Sequence, residues 1–189
     1  MRSGPACQAA RGSLYSRADR GGNFPGMMFK TQYPRLFLPE SLDRCGEAAR
    51  GLYEYWDRKR GTRFAPARAD LDWFEMAAWR PGIVIVEVVR YPDMLIYREV
   101  GQRAIDARGS DPTGKSVIAG YFGSSVGDVL ENYRLVIKER KAVYDFDHTP
   151  TEGGREIEKE TVLLPLSADG ATIDQVLIYV ETGKRRVWW

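Results

Sequence analysis

Histidine and cysteine are both scarce in this sequence: His148 is the only histidine, and Cys7 and Cys45 are the only cysteines. One histidine cannot build a multi-histidine metal site, and neither cysteine lies near it in the sequence. His148 itself is expected in a solvated turn rather than in a catalytic site. Two distant cysteines do not form a disulfide framework. The sequence therefore predicts no metal site and a reducing, cytoplasmic location.

Long hydrophobic runs and an excess of one charge are missing as well. The most apolar segment, residues 83–89, is interrupted by Glu87 and is far shorter than the roughly 20 apolar residues that cross a bilayer. The 28 basic and 26 acidic residues leave a formal net charge of only +2. Proteins that bind phosphate backbones usually carry a larger or more clustered positive excess. We therefore expect neither a membrane span nor a nucleic-acid partner.

The two ends of the chain differ in composition from its middle. Residues 1–26 of the 189 are rich in glycine and arginine and contain a single acid. We predict a disordered or extended leader over residues 1–38, with Met27 or Met28 as an alternative initiator, because the apolar core of a signal peptide is missing. Residues 184–189 place three basic residues beside two tryptophans. They predict either a tail that contacts an anionic membrane surface or a partner groove, or a frayed terminus.

An amphipathic helix is predicted over residues 39–59. Pro39 suits a first helical turn, Gly61 suits a helix end, and apolar side chains recur between them at helical spacing. The stripe consists of Leu42, Cys45, Ala49, Leu52, Tyr53 and Trp56. A stripe of this width must be buried either against its own domain or against a second copy of the chain. For the second alternative, a homodimer, the candidate interface residues are Leu42, Cys45, Leu52, Tyr53 and Trp56.

A short helix over residues 73–79 is predicted to complete an N-terminal helical flank, residues 39–82. Asp72 and Glu75 have the spacing of a capping box, in which a side chain accepts a hydrogen bond from a free backbone N–H of the first turn. The same acids, or Asp70, would also suit a general base. Capping is the commoner role of such spacing, and we favour it.

The hydrophobic period changes from helical to strand-like at Ile83. Residues 83–89 and 94–100 flank a tight turn and predict a hairpin, and a glycine-rich region follows over residues 102–123. The remaining predicted elements are a helix over residues 124–140 and strands over residues 142–147, 156–166 and 175–182. We therefore predict an α+β core over residues 83–183. It consists of a five-stranded antiparallel sheet with helices on one face, and a small apolar chamber between them suits a ligand.

Several short motifs resemble those of a divergent bacterial PAS-like family, and their order and spacing carry the resemblance. They are Tyr55-Trp56, residues 66–72, Tyr97-Arg98-x-Val100-Gly101, residues 109–115, and Leu164-Pro165-Leu166 followed by Asp174. Trp73, Glu99 and Gln102 depart from the family pattern. The resemblance implies the PAS fold and a sensory or protein-interaction module that acts through a partner signalling protein, a small molecule, or both. The haem-ligating and flavin-attaching positions of other PAS sensors have no counterpart here, so it implies no cofactor.

Four tyrosines are predicted to border the chamber, because each lies on an element that faces it: Tyr97, Tyr133, Tyr144 and Tyr179. A tyrosine offers an apolar ring and a polar tip that orient a small ligand, and plain core packing is the alternative. Arg98 is the fifth candidate. It lies either in the pocket or in a buried pair with Asp70 or Asp111 that ties the leading segment to the sheet.

Residues 109–116 match the phosphate-binding loop pattern G-x-x-x-x-G-K-[ST] letter for letter. Such a loop needs a buried strand before it and a helix after it, and the preceding residues 103–108 are too polar for that strand. We therefore interpret residues 109–116 as a glycine-punctuated turn and expect no catalytic residue. The alternative function, of another class, is a small enzyme. It either binds a nucleotide through Lys115 or is a cone-shaped α+β barrel hydrolase or isomerase with Asp70 or Asp72 as its base.

Overall fold

The computed structural model describes residues 35–123, 125–150 and 156–183. The predicted leader up to residue 34, its alternative initiators and the predicted tail over residues 184–189 lie outside the described residues. Within the described ranges, no helix combines the length and the apolar character needed to cross a bilayer.

In the part of the chain that the structure describes, one six-stranded antiparallel sheet forms the centre of the fold. Its strands are β1 (Leu36–Leu38), β2 (Ile83–Arg90), β3 (Asp93–Val100), β4 (Ala142–Pro150), β5 (Glu156–Leu166) and β6 (Gln175–Thr182). The order across the sheet is β1-β4-β5-β6-β2-β3. The predicted α+β class with an antiparallel sheet is confirmed, but the predicted number of five strands is wrong. The additional strand is β1, whose three residues are too few to show an alternating pattern.

In the described ranges, four α-helices accompany the sheet: α1 (Glu47–Arg60), α2 (Gln102–Arg108), α3 (Val117–Gly120) and α4 (Val126–Glu139). The first begins eight positions later than predicted from Pro39, because the backbone is extended at Cys45 and Gly46. The backbone N–H of Gly46 donates a hydrogen bond to the Glu160 side chain at 2.5 Å. This carboxylate, on a distant strand, therefore fixes where α1 starts. The helix ends as predicted at Gly61, which has a positive φ of 58°.

The predicted helix over residues 73–79 is wrong, since this segment is a series of turns that ends in a 3₁₀ turn, Arg80–Gly82. Asp72 does cap the segment, because its carboxylate accepts a hydrogen bond from the Phe74 N–H at 2.8 Å. Glu75 does not complete a capping box and instead forms an ion pair with Lys59 of α1 at 3.0 Å. The tertiary ion pair thus replaces the predicted local hydrogen bond.

Elements cover both faces of the sheet: the core helices α2, α3 and α4 lie on one face, as predicted, and α1 covers the other. Alternate residues of β1, β2, β4, β5 and β6 belong to two separate hydrophobic clusters, as the two-residue period of a strand requires, whereas the edge strand β3 contributes to only one of them. On β2, Ile83 and Ile85 face α1, whereas Val84 and Val86 face α4. We call these surfaces the α1 face and the α4 face. The sheet therefore lies between two apolar layers.

The apolar stripe of α1 is buried within the chain. Cys45, Leu52, Tyr53 and Trp56 are each at most 6% exposed and belong to the cluster on the α1 face, against which Leu42 also packs. The indole N–H of Trp56 donates to the Pro165 carbonyl of β5 at 2.9 Å. These residues are therefore not available as a dimer interface, and the candidate interface derived from the sequence is wrong. The stripe covers its own sheet instead.

Candidate functional site

A small cavity lies between the α4 face of the sheet and the helices that cover it. Its volume is about 40 Å³. Residues from α2, α4 and strands β3 to β6, together with Phe122, line it: Tyr97, Arg108, Phe122, Val129, Asn132, Tyr133, Asp145, Lys159, Thr161, Leu163, Ile178 and Val180. A buried water needs about 10–15 Å³ of such space. The chamber therefore has room for roughly three water-sized groups and is otherwise filled by side chains.

Two cross-strand pairs supply the polar part of this chamber. Asp145 of β4 lies opposite Thr161 of β5, and Asp147 lies opposite Lys159. Asp145 and Asp147 alternate in phase with Val143 on β4, and Lys159 and Thr161 in phase with Leu163 on β5, so all four project towards the α4 face. The sheet thus brings two carboxylates, an ammonium and a hydroxyl beneath the helices.

Lys159 and Asp147 form an ion pair that is closed to solvent. The Lys159 ammonium lies 3.2 Å from an Asp147 carboxylate oxygen, and the two side chains are 6% and 8% exposed. The ammonium also donates to the Phe122 carbonyl at 3.0 Å and lies 5.3 Å from the centre of the Phe122 ring. These contacts satisfy the buried charge, which an apolar environment otherwise penalises strongly.

A second polar group connects the chamber with the edge of the sheet. The Asn132 side-chain NH₂ of α4 donates to the Asp145 carboxylate at 2.7 Å. The Asn132 carbonyl accepts a hydrogen bond from the Arg35 guanidinium, which also donates to the Asp128 backbone carbonyl at 2.6 Å. Burial raises the pKa of Asp145, whereas the Asn132 hydrogen bond and the charges of Lys159 and Arg35 act in the opposite direction.

Two buried polar atoms of the chamber have no hydrogen-bond partner within the described residues. They are the Arg108 Nε and the Thr161 Oγ1. Another guanidinium nitrogen of Arg108 donates to the Gly120 carbonyl at 2.7 Å, and the group lies 4.9 Å from the Tyr97 ring and 5.2 Å from the Phe122 ring. Unsatisfied buried polar atoms are rare in native proteins and suggest an unseen water or ligand.

The predicted tyrosines fall on opposite faces of the sheet. Tyr97 and Tyr133 line the chamber, and burial raises the pKa of Tyr133 well above its ordinary value, with Tyr97 adding to the shift. Tyr144 and Tyr179 lie on the α1 face instead. The Tyr144 hydroxyl donates to the Arg44 carbonyl at 3.2 Å. Only two of the four predicted tyrosines therefore come together at the chamber.

Tyr179 is held by charged neighbours at one end of the sheet. The Arg103 guanidinium donates to its hydroxyl at 3.0 Å, and the hydroxyl donates to Glu181. Burial raises the pKa of Tyr179, and the hydrogen bond to Glu181 adds to the shift. This arrangement orients the phenol away from the chamber.

Arg98 is not part of the chamber. Its guanidinium bonds with Glu87 on the neighbouring strand β2, and its side chain is 52% exposed. The predicted buried pair of Arg98 with Asp70 or Asp111 is therefore wrong. Side chains alternate along a strand, so Arg98 points away from the face to which Tyr97 points.

The acids considered as general bases, Asp70 and Asp72, have structural partners outside the chamber, and so has Asp111, which was considered as a partner of Arg98. Asp70 accepts a hydrogen bond from the Ala67 N–H at 2.8 Å, and this bond, aided by Arg63, lowers the pKa of the carboxyl. Asp111 accepts from both the backbone and the hydroxyl of Thr113, which lowers its pKa as well. Both stabilise turns.

The segment 109–116 does not have the geometry of a phosphate-binding loop. It follows helix α2 rather than a strand, and Gly109 ends that helix with a positive φ of 79°. The segment then runs along β3, where the Gly114 N–H donates to the Tyr97 carbonyl and the Tyr97 N–H donates to the Lys115 carbonyl. Some of its backbone N–H groups therefore donate hydrogen bonds within the fold, and the segment covers the free edge of β3.

Calorimetry with ATP and Mg²⁺ is expected to give no binding heat for either the wild-type chain or the Lys115→Ala variant. The reason is that segment 109–116 lacks the strand–loop–helix arrangement that cradles phosphates. Lys138→Ala, on the exposed side of α4, is the matched control for loss of one positive charge. Tight binding that disappears only in Lys115→Ala contradicts this expectation.

His148 lies on β4 and not in the predicted turn. Its imidazole is 3.7 Å from the Glu158 carboxylate on β5 and packs edge-on against the Phe146 ring. Within the described residues, no group of three or more histidine, cysteine, aspartate or glutamate side chains could hold a metal ion. His148 is therefore part of a cross-strand pair.

The polar residues of the chamber were missed at the sequence level, although a signal for them exists. On β4, Asp145 and Asp147 lie two and four positions after the apolar residue Val143. On β5, Thr161 lies two positions before the apolar residue Leu163. Polar residues in register with apolar core positions indicate a polar patch inside the fold. Arg35, Arg108 and Asn132 give no such signal, because their partners are distant in sequence.

Two packed layers on an antiparallel sheet, with a small polar chamber on one side, define an α+β domain. The profile of the PAS domain family matches residues 45–179 of the chain. The chain therefore belongs to the PAS domain family, whose members are sensory and signalling modules.

Among solved structures, the chain resembles light-oxygen-voltage proteins. For the protein from Rhodobacter sphaeroides, the identity is 10%, the TM-score is 0.44, and the match covers 61% of this chain and 70% of that one. For a light-oxygen-voltage domain studied with a flavin analogue, the identity is 10% and the TM-score 0.47, and the match covers 59% of this chain and 83% of that one. For an RNA-binding light-oxygen-voltage receptor, the identity is 15% and the TM-score 0.43, and the match covers 60% of this chain and 33% of that one. A comparison with curated proteins finds no match.

Proposed function

We propose that this PAS domain is a sensory module that couples the state of its chamber to the outer edge of the sheet at β1, where a partner signalling protein responds. A continuous series of hydrogen bonds from the chamber to β1 is the observation that supports this proposal. The domain acts in the cytoplasm and has no catalytic role of its own.

The series begins at Asp145, which lines the chamber, and passes through Asn132 to Arg35. Arg35 directly precedes β1, so its position determines where that strand enters the sheet. Its side chain is only 10% exposed and also bonds to the Asp128 carboxylate at 3.2 Å. A change at Asp145 therefore reaches the edge strand through two side chains.

The strand at the end of this series is held weakly enough to respond. Among the described residues, only three pairs join β1 to β4, from Leu36↔Tyr144 to Leu38↔Ala142. Short edge elements open at a low free-energy cost compared with the central strands of a sheet. The loss of one hydrogen bond to a charged group, about 1.5–3 kcal/mol, is a large part of such a cost. We expect β1 to be the most sensitive strand of the sheet.

Hydrogen exchange of the β1 amides tests the coupling. Asn132→Leu removes both hydrogen bonds of the connecting side chain at similar size, and we expect it to raise the exchange rate at Leu36–Leu38 about tenfold. Exchange in β6, at the centre of the sheet, is expected to change far less. The control is Glu131→Ala, the neighbouring position, which pairs with Arg134 on the surface.

A chamber substitution far from β1 separates sensing from local support. Val180→Leu adds a methylene to the cavity from β6, and Val180 belongs to neither β1 nor its hydrogen-bonded series. If chamber occupancy is transmitted, this variant also changes the exchange of β1. Unchanged β1 exchange in Val180→Leu contradicts the proposed function even if Asn132→Leu has the expected effect.

The homodimer predicted from the sequence stays a prediction. Since the α1 stripe is buried within the chain, a dimer must use another surface. Light scattering of the purified protein measures the mass directly, and native mass spectrometry of freshly purified protein reports whether a small molecule is retained.

A further inference from the structure

We infer that the ligand of the chamber is a small carboxylate, whose oxygens accept hydrogen bonds from Arg108 and Thr161. This inference rests on the proposed sensory function and names the chemical class of the signal. It follows from the unsatisfied atoms, the charges and the size of the cavity.

The unsatisfied atoms of the chamber require a hydrogen-bond acceptor. The Arg108 Nε can only donate, and the Thr161 hydroxyl is able to donate. Both atoms are buried without a partner in the described part of the chain, and both residues line the cavity. Thr161 is only 8% exposed, so bulk water does not satisfy its hydroxyl. A ligand that completes the site therefore presents acceptor oxygens to these two residues.

The charges of the chamber favour an anion over a neutral acceptor. Lys159 is neutralised by Asp147, and Arg35 bonds to Asp128. Among the described residues, Arg108 has no carboxylate within ion-pair distance, and its contacts are a carbonyl and two aromatic rings. Arg108 is partly exposed, but its Nε is buried, and a largely buried charge without a counter-ion is costly. A carboxylate supplies that counter-ion and matches the planar donor geometry of arginine.

The size of the chamber limits the ligand. A volume of about 40 Å³ holds roughly three water-sized groups, which corresponds to one carboxylate group. Leu163, Ile178 and Val180 provide an apolar wall for a short carbon chain. Formate and acetate fit this description, whereas a flavin or haem does not.

Among the described residues that line the chamber, Asp145 is the carboxylate whose charge opposes an anion, and its burial favours its neutral form. Burial raises its pKa and the charge of Asp147 adds to the shift, whereas Asn132, Lys159 and Arg35 oppose it. Arg108 lines the same cavity. Anion binding is therefore expected to strengthen as the pH falls towards that raised pKa, because protonated Asp145 does not repel the ligand. Asp145→Asn is expected to remove this pH dependence.

Titration of ¹⁵N-labelled protein with sodium acetate tests the inference, and acetamide is the neutral probe of equal shape. We expect acetate, but not acetamide, to shift the amide resonances of residues around the chamber, such as Leu163 and Val180. Arg108→Gln is expected to weaken acetate binding about tenfold or more, since it removes a charged donor. Thr161→Val, which keeps the shape of the side chain, is expected to weaken it several-fold.

Arg98→Gln is the matched control, because it removes one arginine charge from a strand surface outside the chamber. It is expected to leave acetate affinity unchanged. If Arg108→Gln does not fold, Thr161→Val and the acetamide comparison still decide the question.

The outcomes also separate this inference from the proposed function. Equal binding of acetate and acetamide, or acetate binding that Thr161→Val and Arg108→Gln leave unchanged, overturns the carboxylate class. The absence of acetate binding overturns it as well, yet a response of β1 to Val180→Leu would leave the sensory role standing. If β1 does not respond but acetate binds as expected, the chamber is a carboxylate site without the proposed output.

Discussion

Lys159→Met is expected to lower the free energy of unfolding by about 3–5 kcal/mol, as the removal of one partner of a buried ion pair generally does. Methionine has a similar length but no charge, so the variant leaves the Asp147 carboxylate buried without its cation. The Phe122 carbonyl loses its hydrogen bond at the same time. Urea denaturation followed by circular dichroism measures the change.

A double variant distinguishes the ion pair from simple packing. Lys159→Met combined with Asp147→Leu removes both charges, and an apolar pair in place of an ion pair is often neutral or stabilising. We expect the double variant to recover most of the lost stability. The surface pair of Arg134 and Glu131 is the comparison, and Arg134→Met is expected to cost at most about 1 kcal/mol. Equal losses in the free energy of unfolding for Lys159→Met and Arg134→Met would contradict the importance of the buried ion pair.

Leu52→Ala is the second large expected effect, with a loss of about 2–5 kcal/mol in the free energy of unfolding. Leu52 is fully buried between α1 and the sheet, so the truncation leaves a cavity that the surrounding layer cannot fill. The same denaturation experiment measures it, and the molar mass by light scattering is expected to match that of the wild type.

The molar mass decides whether the apolar stripe of α1 packs against its own domain or forms a dimer interface, the two alternatives that the sequence left open. Glu54→Ala, on the exposed side of the same helix, is the control and is expected to change stability by less than about 0.5 kcal/mol. A Leu52→Ala variant that keeps its stability but loses a dimeric mass would restore the interface hypothesis.

Local patterns were sufficient for most of the elements. The hairpin of β2 and β3 follows from two apolar runs separated by a turn, and the bounds of β5 and β6 agree with those predicted. The end of α1 was predicted because glycine at position 61 suits a helix end, and in the structure Gly61 adopts a positive φ. Its start was not, because the hydrogen bond from Gly46 to Glu160 joins residues far apart in sequence.

The chamber was predicted less well than the fold. Tyr97 and Tyr133 were identified, whereas Tyr144 and Tyr179 lie on the opposite face of the sheet. The face of a strand residue depends on register, and a shift of one position reverses it. Arg108 and Asn132 were missed because their role depends on partners that only the tertiary structure brings near.

By itself, the sequence determined the α+β class, the antiparallel strands and the family, because period, turn residues and motif order are local properties of the chain. Only the tertiary structure decided that α1 covers its own sheet, that β1 joins the edge, and that charged groups meet beneath α4. These features depend on contacts between residues roughly a hundred positions apart, such as Arg35 with Asn132 and Trp56 with Pro165. Burial and pairing over such separations are set by packing, which no local pattern records.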